Sequence, residues 1–263
     1  MKSNIAIIIS CLVLTIWSIT YGQYKTSIQG ERIASLESTV NDVEGILRDI
    51  QYIDLPMMES RQNTAELDIA GMRSQVDIMH EVISSERLRN LRANKVKRAI
   101  GNTVKLYKNS SDYEAARQLN RQQMNEIAYT MVDACDKWNV PLNLFLALVR
   151  QESAFNHKAK SHAGAMGLTQ IVPSTAAEIA RKLAVTSYDP YSIQQNIQFG
   201  VYYFATLLDM FDNNIPKAVQ AYNAGHVMVE KVFNGERNMP RETVHYEQFI
   251  RAFAQEYAQQ GVF

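Results

Sequence analysis

Glu152 continues an apolar stripe formed by Leu142, Phe145, Leu146 and Val149, three residues past the last of them. Spacings of three and seven keep it on one face of a helix, pointing toward a core rather than toward water. A carboxyl held against apolar groups is disfavoured in its charged form, so its pKa rises. A proton retained near neutral pH is what a general acid needs to protonate a glycosidic oxygen. An exposed glutamate at a helix end would have none of these properties, and the stripe alone does not separate the two. More residues follow in chain order. Gln151-Glu152-Ser153 precedes Gly164-Ala165-Met166-Gly167-Leu168-Thr169-Gln170-Ile171-Val172-Pro173-Ser174-Thr175-Ala176. Then come Asn196-Ile197 with Gly200, Ala221-Tyr222-Asn223-Ala224-Gly225, and Glu242-Thr243 with Tyr246. Singly, Gly164 and Gly167 could be turn glycines, Gly225 a helix cap and Tyr222 a core residue.

In this order and at this spacing the motifs resemble the catalytic domain of the lytic transglycosylases of the soluble type, a lysozyme-like family. The resemblance covers residues 128–253, and the set carries it rather than any single motif. It implies that Glu152 is the catalytic acid and base and that Ser153 is its polar neighbour. It implies that Gly167, Leu168 and Gln170 wall a sugar groove, with Gln170 toward the substrate. Tyr222 and Asn223 would flank the acid, and Tyr246 would lie near it. The sequence departs from the family at Thr169, where methionine is usual, and at Val244-His245, where more polar residues are common. The first departure removes an apolar wall contact.

Glycosidases usually use two carboxylates, and their separation sets the stereochemical outcome. Here only Glu152 stands in a motif position, although Glu178, Asp189 and Glu242 fall in the same region. The resemblance implies cleavage of the β-1,4 bond between N-acetylmuramic acid and N-acetylglucosamine without water, leaving a 1,6-anhydro ring. A hydrolytic muramidase is the first alternative. A membrane-anchored structural or assembly protein that binds glycan without cleaving it is the second. His157 and His162 have no nearby Cys or paired acid, so they make a poor zinc set. Neither a metal nor a cofactor is expected.

The elements that must carry this acid are helical, because strand-like alternation is scarce. The expected fold is mainly α: an N-terminal membrane segment over residues 1–24, a helical or coiled-coil stalk over 25–111, and an α-helical lysozyme-like domain over 112–263. No charged side chain lies between Lys2 and Lys25, and residues 5–19 are almost entirely apolar. That length lies between a signal peptide and a spanning helix, so an uncleaved signal anchor, a cleaved signal and a buried helix all stay open. Ile8-Ile9-Ser10-Cys11 loosely resembles a lipoprotein box, but the apolar run continues past Cys11.

Beyond it, Ile33, Leu36, Val40, Val43, Leu47 and Ile50 step by three and four, as a left-handed coiled coil requires. Ile69, Met72, Val76, Met79 and Ile83 repeat the pattern in a shifted register, with a break expected near Pro56 and Gly71. The two runs suit either an oligomerising stalk, and so a homo-oligomer, or two amphipathic helices packed within one chain. The basic run from Arg87 to Lys108 suits a solvated face and linker, or contact with an anionic surface.

The 263 residues carry 27 Lys+Arg and 27 Asp+Glu. That balance gives no overall pull toward nucleic acid, and no specific nucleic-acid partner is expected. Cys11 and Cys135 are the two cysteines and lie too far apart to suggest a disulfide framework. The expected partners are peptidoglycan glycan strands and, through the N-terminal segment, a membrane. The catalytic domain would then face the cell wall in the periplasm or be carried in a phage virion.

Overall fold

The computed structural model describes residues 30–51 and 59–263, which fall into two compact units divided between Leu88 and Arg89. The expected anchor and Pro56 lie outside the described residues. No described helix is long and apolar enough to cross a membrane.

The first unit contains α1 (Gly30–Gln51) and the first half of α2 (Glu59–Leu106). Val40, Val43 and Leu47 of α1 bury with Met72, Val76 and Ile83 of α2, and Leu36, Ile69 and Met79 pack at the edge. These residues belong to the two heptad series, so over their length the seam that the sequence offered to a second copy is filled within the chain. Polar pairs flank it. His80 Nε2 lies 3.7 Å from Glu44 Oε1, and Arg87 pairs with Glu37. Helix α2 runs unbroken through Gly71, contrary to the expected break there. One glycine inside a helix costs about 1 kcal/mol, which the apolar residues buried on either side of it outweigh.

The second unit begins at Arg89, ahead of the boundary expected at 112. Ala93, Val96, Ala99 and Ile100 of α2 are fully buried in its core. Their period is masked in sequence by the basic residues between them. The basic run is therefore not a uniformly solvated linker. Arg89 forks onto Asp133 at 2.6 and 2.7 Å, Arg92 onto Asp136 at 2.5 and 2.6 Å, and Lys97 donates to Asn125 at 2.9 Å.

A short turn at Ser111–Tyr113 and α3 (Glu114–Arg117) lead into α4 (Arg121–Lys137). Asn120 and Gln123 cap α4 reciprocally, which satisfies two otherwise orphaned backbone donors. Next come α5 (Leu142–Ser153), α6 (Pro173–Lys182), α7 (Ile193–Met210), α8 (Ile215–Ala224), α9 (His226–Phe233) and α10 (Arg241–Gln259). Among the described residues there is no named strand, only isolated bridges of Met166 with Lys160 and Ile171. Helix α5 is the centre of the unit. Every residue from Leu144 to Arg150 is buried, so it is covered on all sides rather than along one stripe.

Candidate active site

Glu152 sits in the last turn of α5, one residue before the helix ends. Ala154 (φ +46°) and Phe155 (φ +65°) then turn left-handed, which costs side-chain-bearing residues of order 1–2 kcal/mol each. Full burial of Phe155 offsets that cost. The turn stops the helix so that Glu152 is partly buried at its mouth.

Tyr246, near the start of α10 and buried, donates its hydroxyl to Glu152 Oε1. Burial raises the carboxyl pKa of Glu152 from 4.5 to about 7, and the Tyr246 hydrogen bond pulls the other way. Desolvation wins, so close to neutral pH the group is divided between acid and carboxylate. Tyr222 and Tyr246 are themselves pushed well above the usual phenol range, first by burial and then by the negative charge of Glu152. Both remain hydrogen-bond donors over the whole working range.

The glycine-rich segment closes against α7 at distances that leave no room for side chains at Gly167 and Gly200. A Cβ on Gly167 would come within 2.3 Å of both the Pro190 carbonyl oxygen and Asn196 Nδ2, at a φ of +79°. One on Gly200 would come within 2.5 Å of Thr169 Cγ2. Thr169 is fully buried. Its amide and its hydroxyl each donate to Asn196 Oδ1 at 2.9 Å. Asn196 in turn donates to the Met166 carbonyl at 3.0 Å. The Thr169 carbonyl accepts the Tyr222 hydroxyl at 2.8 Å. The side chain at Thr169 therefore faces inward onto α7, not a groove, and an expected loss of an apolar wall contact does not arise there.

Several expected groove residues hold the loop together. Ser153 Oγ donates to the Leu168 carbonyl at 2.8 Å and the Val149 carbonyl at 3.2 Å. Leu168 is fully buried, so it presents backbone rather than side chain to any groove. Gln170, at φ +49°, donates its amide to the Gly167 carbonyl at 2.9 Å and the Ala159 carbonyl at 3.2 Å. Asn223 is exposed and accepts the Thr243 hydroxyl at 2.8 Å, which ties α8 to α10. Tyr222 and Tyr246 come together with Glu152.

None of the other acids weighed from sequence joins them. Glu178 pairs with Lys182 at 2.9 Å, and Asp189 Oδ1 accepts the Tyr191 amide at 2.9 Å. Glu242 is exposed in the first turn of α10. Sequence reasoning missed Arg150, which is buried two residues before Glu152. The signal was present: a cation one residue past Val149, inside an otherwise apolar helix.

Residues 130–244 match the family model described as the Transglycosylase SLT domain. The chain is 38% identical over 93 residues to the soluble lytic murein transglycosylase of Escherichia coli (strain K12), covering 33% of this chain and 14% of that protein. It is 30% identical over 118 residues to the membrane-bound lytic murein transglycosylase C of Histophilus somni (strain 2336), covering 40% of this chain and 32% of that one. The crystal structure of the 70 kDa soluble lytic transglycosylase of Escherichia coli aligns with a TM-score of 0.45 at 25% identity, covering 52% of this chain and 28% of that one. The matched region is thus a minor part, 14% to 32%, of these curated relatives. Residues 130–244 are thus similar to the Transglycosylase SLT domain.

Proposed function

We propose that this chain is a peptidoglycan lytic transglycosylase that cleaves the β-1,4 bond between N-acetylmuramic acid and N-acetylglucosamine. The observation that carries the reading is one carboxyl, that of Glu152, held near neutrality by burial and oriented by Tyr246, with no second acid acting on it among the described residues. In the first step Glu152 gives its proton to the bridging oxygen as the glycosidic bond breaks. The substrate's own N-acetyl group stabilises the oxocarbenium-like centre. The carboxylate then takes the proton of the muramyl 6-hydroxyl, and that oxygen closes the 1,6-anhydro ring. A group of pKa about 7 can serve in turn as acid and base at neutral pH. No water is consumed, and a site with a single carboxyl needs none to be activated.

Mass spectrometry of the products tests the route. Anhydromuramic ends are expected. Reducing muramic ends would make the protein a hydrolase, and a Glu152→Gln variant that still lysed cell wall would remove the site assignment. The apolar run over residues 5–19 supports a further reading, in which a membrane anchor confines cutting to nearby glycan, as local wall opening by a membrane-associated assembly or a phage virion requires. Retention of residues 1–22 in the intact mass of membrane-extracted protein is the expected result, and their loss would refute the anchor.

A further inference from the structure

We propose, resting on that reading, that Arg150 is a positioning residue whose clamped guanidinium fixes the last turn of α5 and so aims Glu152 at Tyr246. The Arg150 side chain is almost fully buried, and its guanidinium lies 3.7 Å from the centre of the Phe253 ring. The rings of Tyr107 and Tyr257 stand at 5.2 and 5.7 Å. Nη1 donates to Glu256 Oε2 at 2.8 Å, and Nε donates to the Tyr113 hydroxyl at 3.2 Å. Tyr107 and Tyr113 stack at 5.0 Å, and the Tyr257 hydroxyl is bound to Thr103 Oγ1 at 3.0 Å. Every partner of the clamp lies outside residues 130–244.

Two residues apart on a helix means side chains about 200° apart. Arg150 and Glu152 therefore meet different residues, and Arg150 acts through the backbone between them. Its own carbonyl accepts the Ala154 amide at 3.0 Å, the bond that closes α5 just before the left-handed turn. Helix α10 touches this turn at two places: Phe253, Glu256 and Tyr257 hold Arg150, and Tyr246 reaches Glu152. Together they lock the register of α5 on α10. Stability alone is a weak reason to bury a guanidinium here, because an apolar side chain of similar volume often serves as well or better. What arginine adds is a planar, forked group that fixes direction.

A double-mutant cycle in the full chain tests this, using soluble uncrosslinked glycan strands as substrate. Arg150→Met is expected to lower kcat on the order of 10- to 100-fold with KM within about twofold, the scale of a roughly 1 Å misplacement. Because the loss runs through the Glu152–Tyr246 contact, Arg150→Met with Tyr246→Phe is expected to be no slower than the slower single variant. Multiplying losses, or a change in KM alone, would overturn the proposal. Should Arg150→Met fail to fold, Glu256→Gln takes its place in the same cycle. Its carboxylate is a third exposed, and glutamine keeps an oxygen for the Arg150 Nη1 hydrogen bond while removing the charge that opposes the buried guanidinium. The expectation is a smaller kcat loss with the same non-additivity, and additivity overturns the proposal there too. A Glu152→Gln variant that kept full turnover would instead break the functional reading, so the two failures are separable.

Discussion

Replacing Glu152 by glutamine should stabilise the folded protein, increasingly as pH rises from about 4.5 to about 7 and fully above that. The native carboxyl titrates at about 7 against an ordinary 4.5, so folding must hold a proton that the unfolded chain has already released. Below about pH 4.5 both states are protonated and the carboxyl costs nothing. Between 4.5 and 7 the unfolded chain binds fewer protons than the native one, so stability falls as pH rises. Above 7 both are ionised and the full penalty stands. At about 1.36 kcal/mol per pKa unit, the shift from 4.5 to about 7 amounts to roughly 3 kcal/mol. Glutamine keeps the shape and an oxygen for the Tyr246 hydroxyl, but has no charge to desolvate. Urea unfolding of both proteins at pH 4.5 and at pH 8.5 measures the difference directly, since all other titrating groups cancel between the variants. Near-equal stability at pH 4.5 and an advantage of up to about 3 kcal/mol for Glu152→Gln at pH 8.5 are expected. A difference independent of pH would refute the argument that burial dominates this carboxyl.

Tyr246→Phe removes a hydrogen bond to the charged form, worth about 1.5–3 kcal/mol, so the fall of kcat/KM with rising pH should move upward by one to two units from about 7. An unmoved profile would mean that the hydroxyl does not act on the carboxyl. Gly200→Ala puts a methyl group 2.5 Å from Thr169, and should cost about 1–3 kcal/mol in thermal unfolding together with activity, since Thr169 holds Tyr222. Wild-type stability in that variant would contradict the close packing. Val76→Asp buries a charge in the seam of α1 and α2 and should lower helicity by circular dichroism while leaving turnover of soluble glycan unchanged, because the two cores share no residue. A loss of turnover would show that the first unit supports the site.

The helical character, the position of Glu152 in a helix and its raised pKa were readable from the stripe Leu142, Phe145, Leu146, Val149, because period and polarity are local properties. So were the two heptad series. Which partner fills a heptad seam is a property of three-dimensional closure, and periodicity alone left both a second copy and the same chain open. The boundary at Arg89 was hidden for a related reason: Ala93, Val96, Ala99 and Ile100 are few and small among strong charges, and the acids that neutralise Arg89 and Arg92 lie in α4. Motif matching named Ser153, Leu168 and Gln170, but not that their polar groups would be used to fasten the loop. Arg150 was legible only as an anomaly, since its partners come from the turn just after α2, the Ser111–Tyr113 turn and α10.

The seam between α1 and α2 bears on how the chain folds. Its two halves are separated by only the residues from 52 to 58, and bringing the ends of so short a connection together carries a small loop-closure cost. Seams shared between subunits strengthen with protein concentration by mass action. This one closes in a first-order step that no dilution can reverse. The melting midpoint of the α1–α2 pair should therefore stay constant across a hundredfold change in protein concentration, and a newly made chain can complete this part of its structure without waiting to meet another.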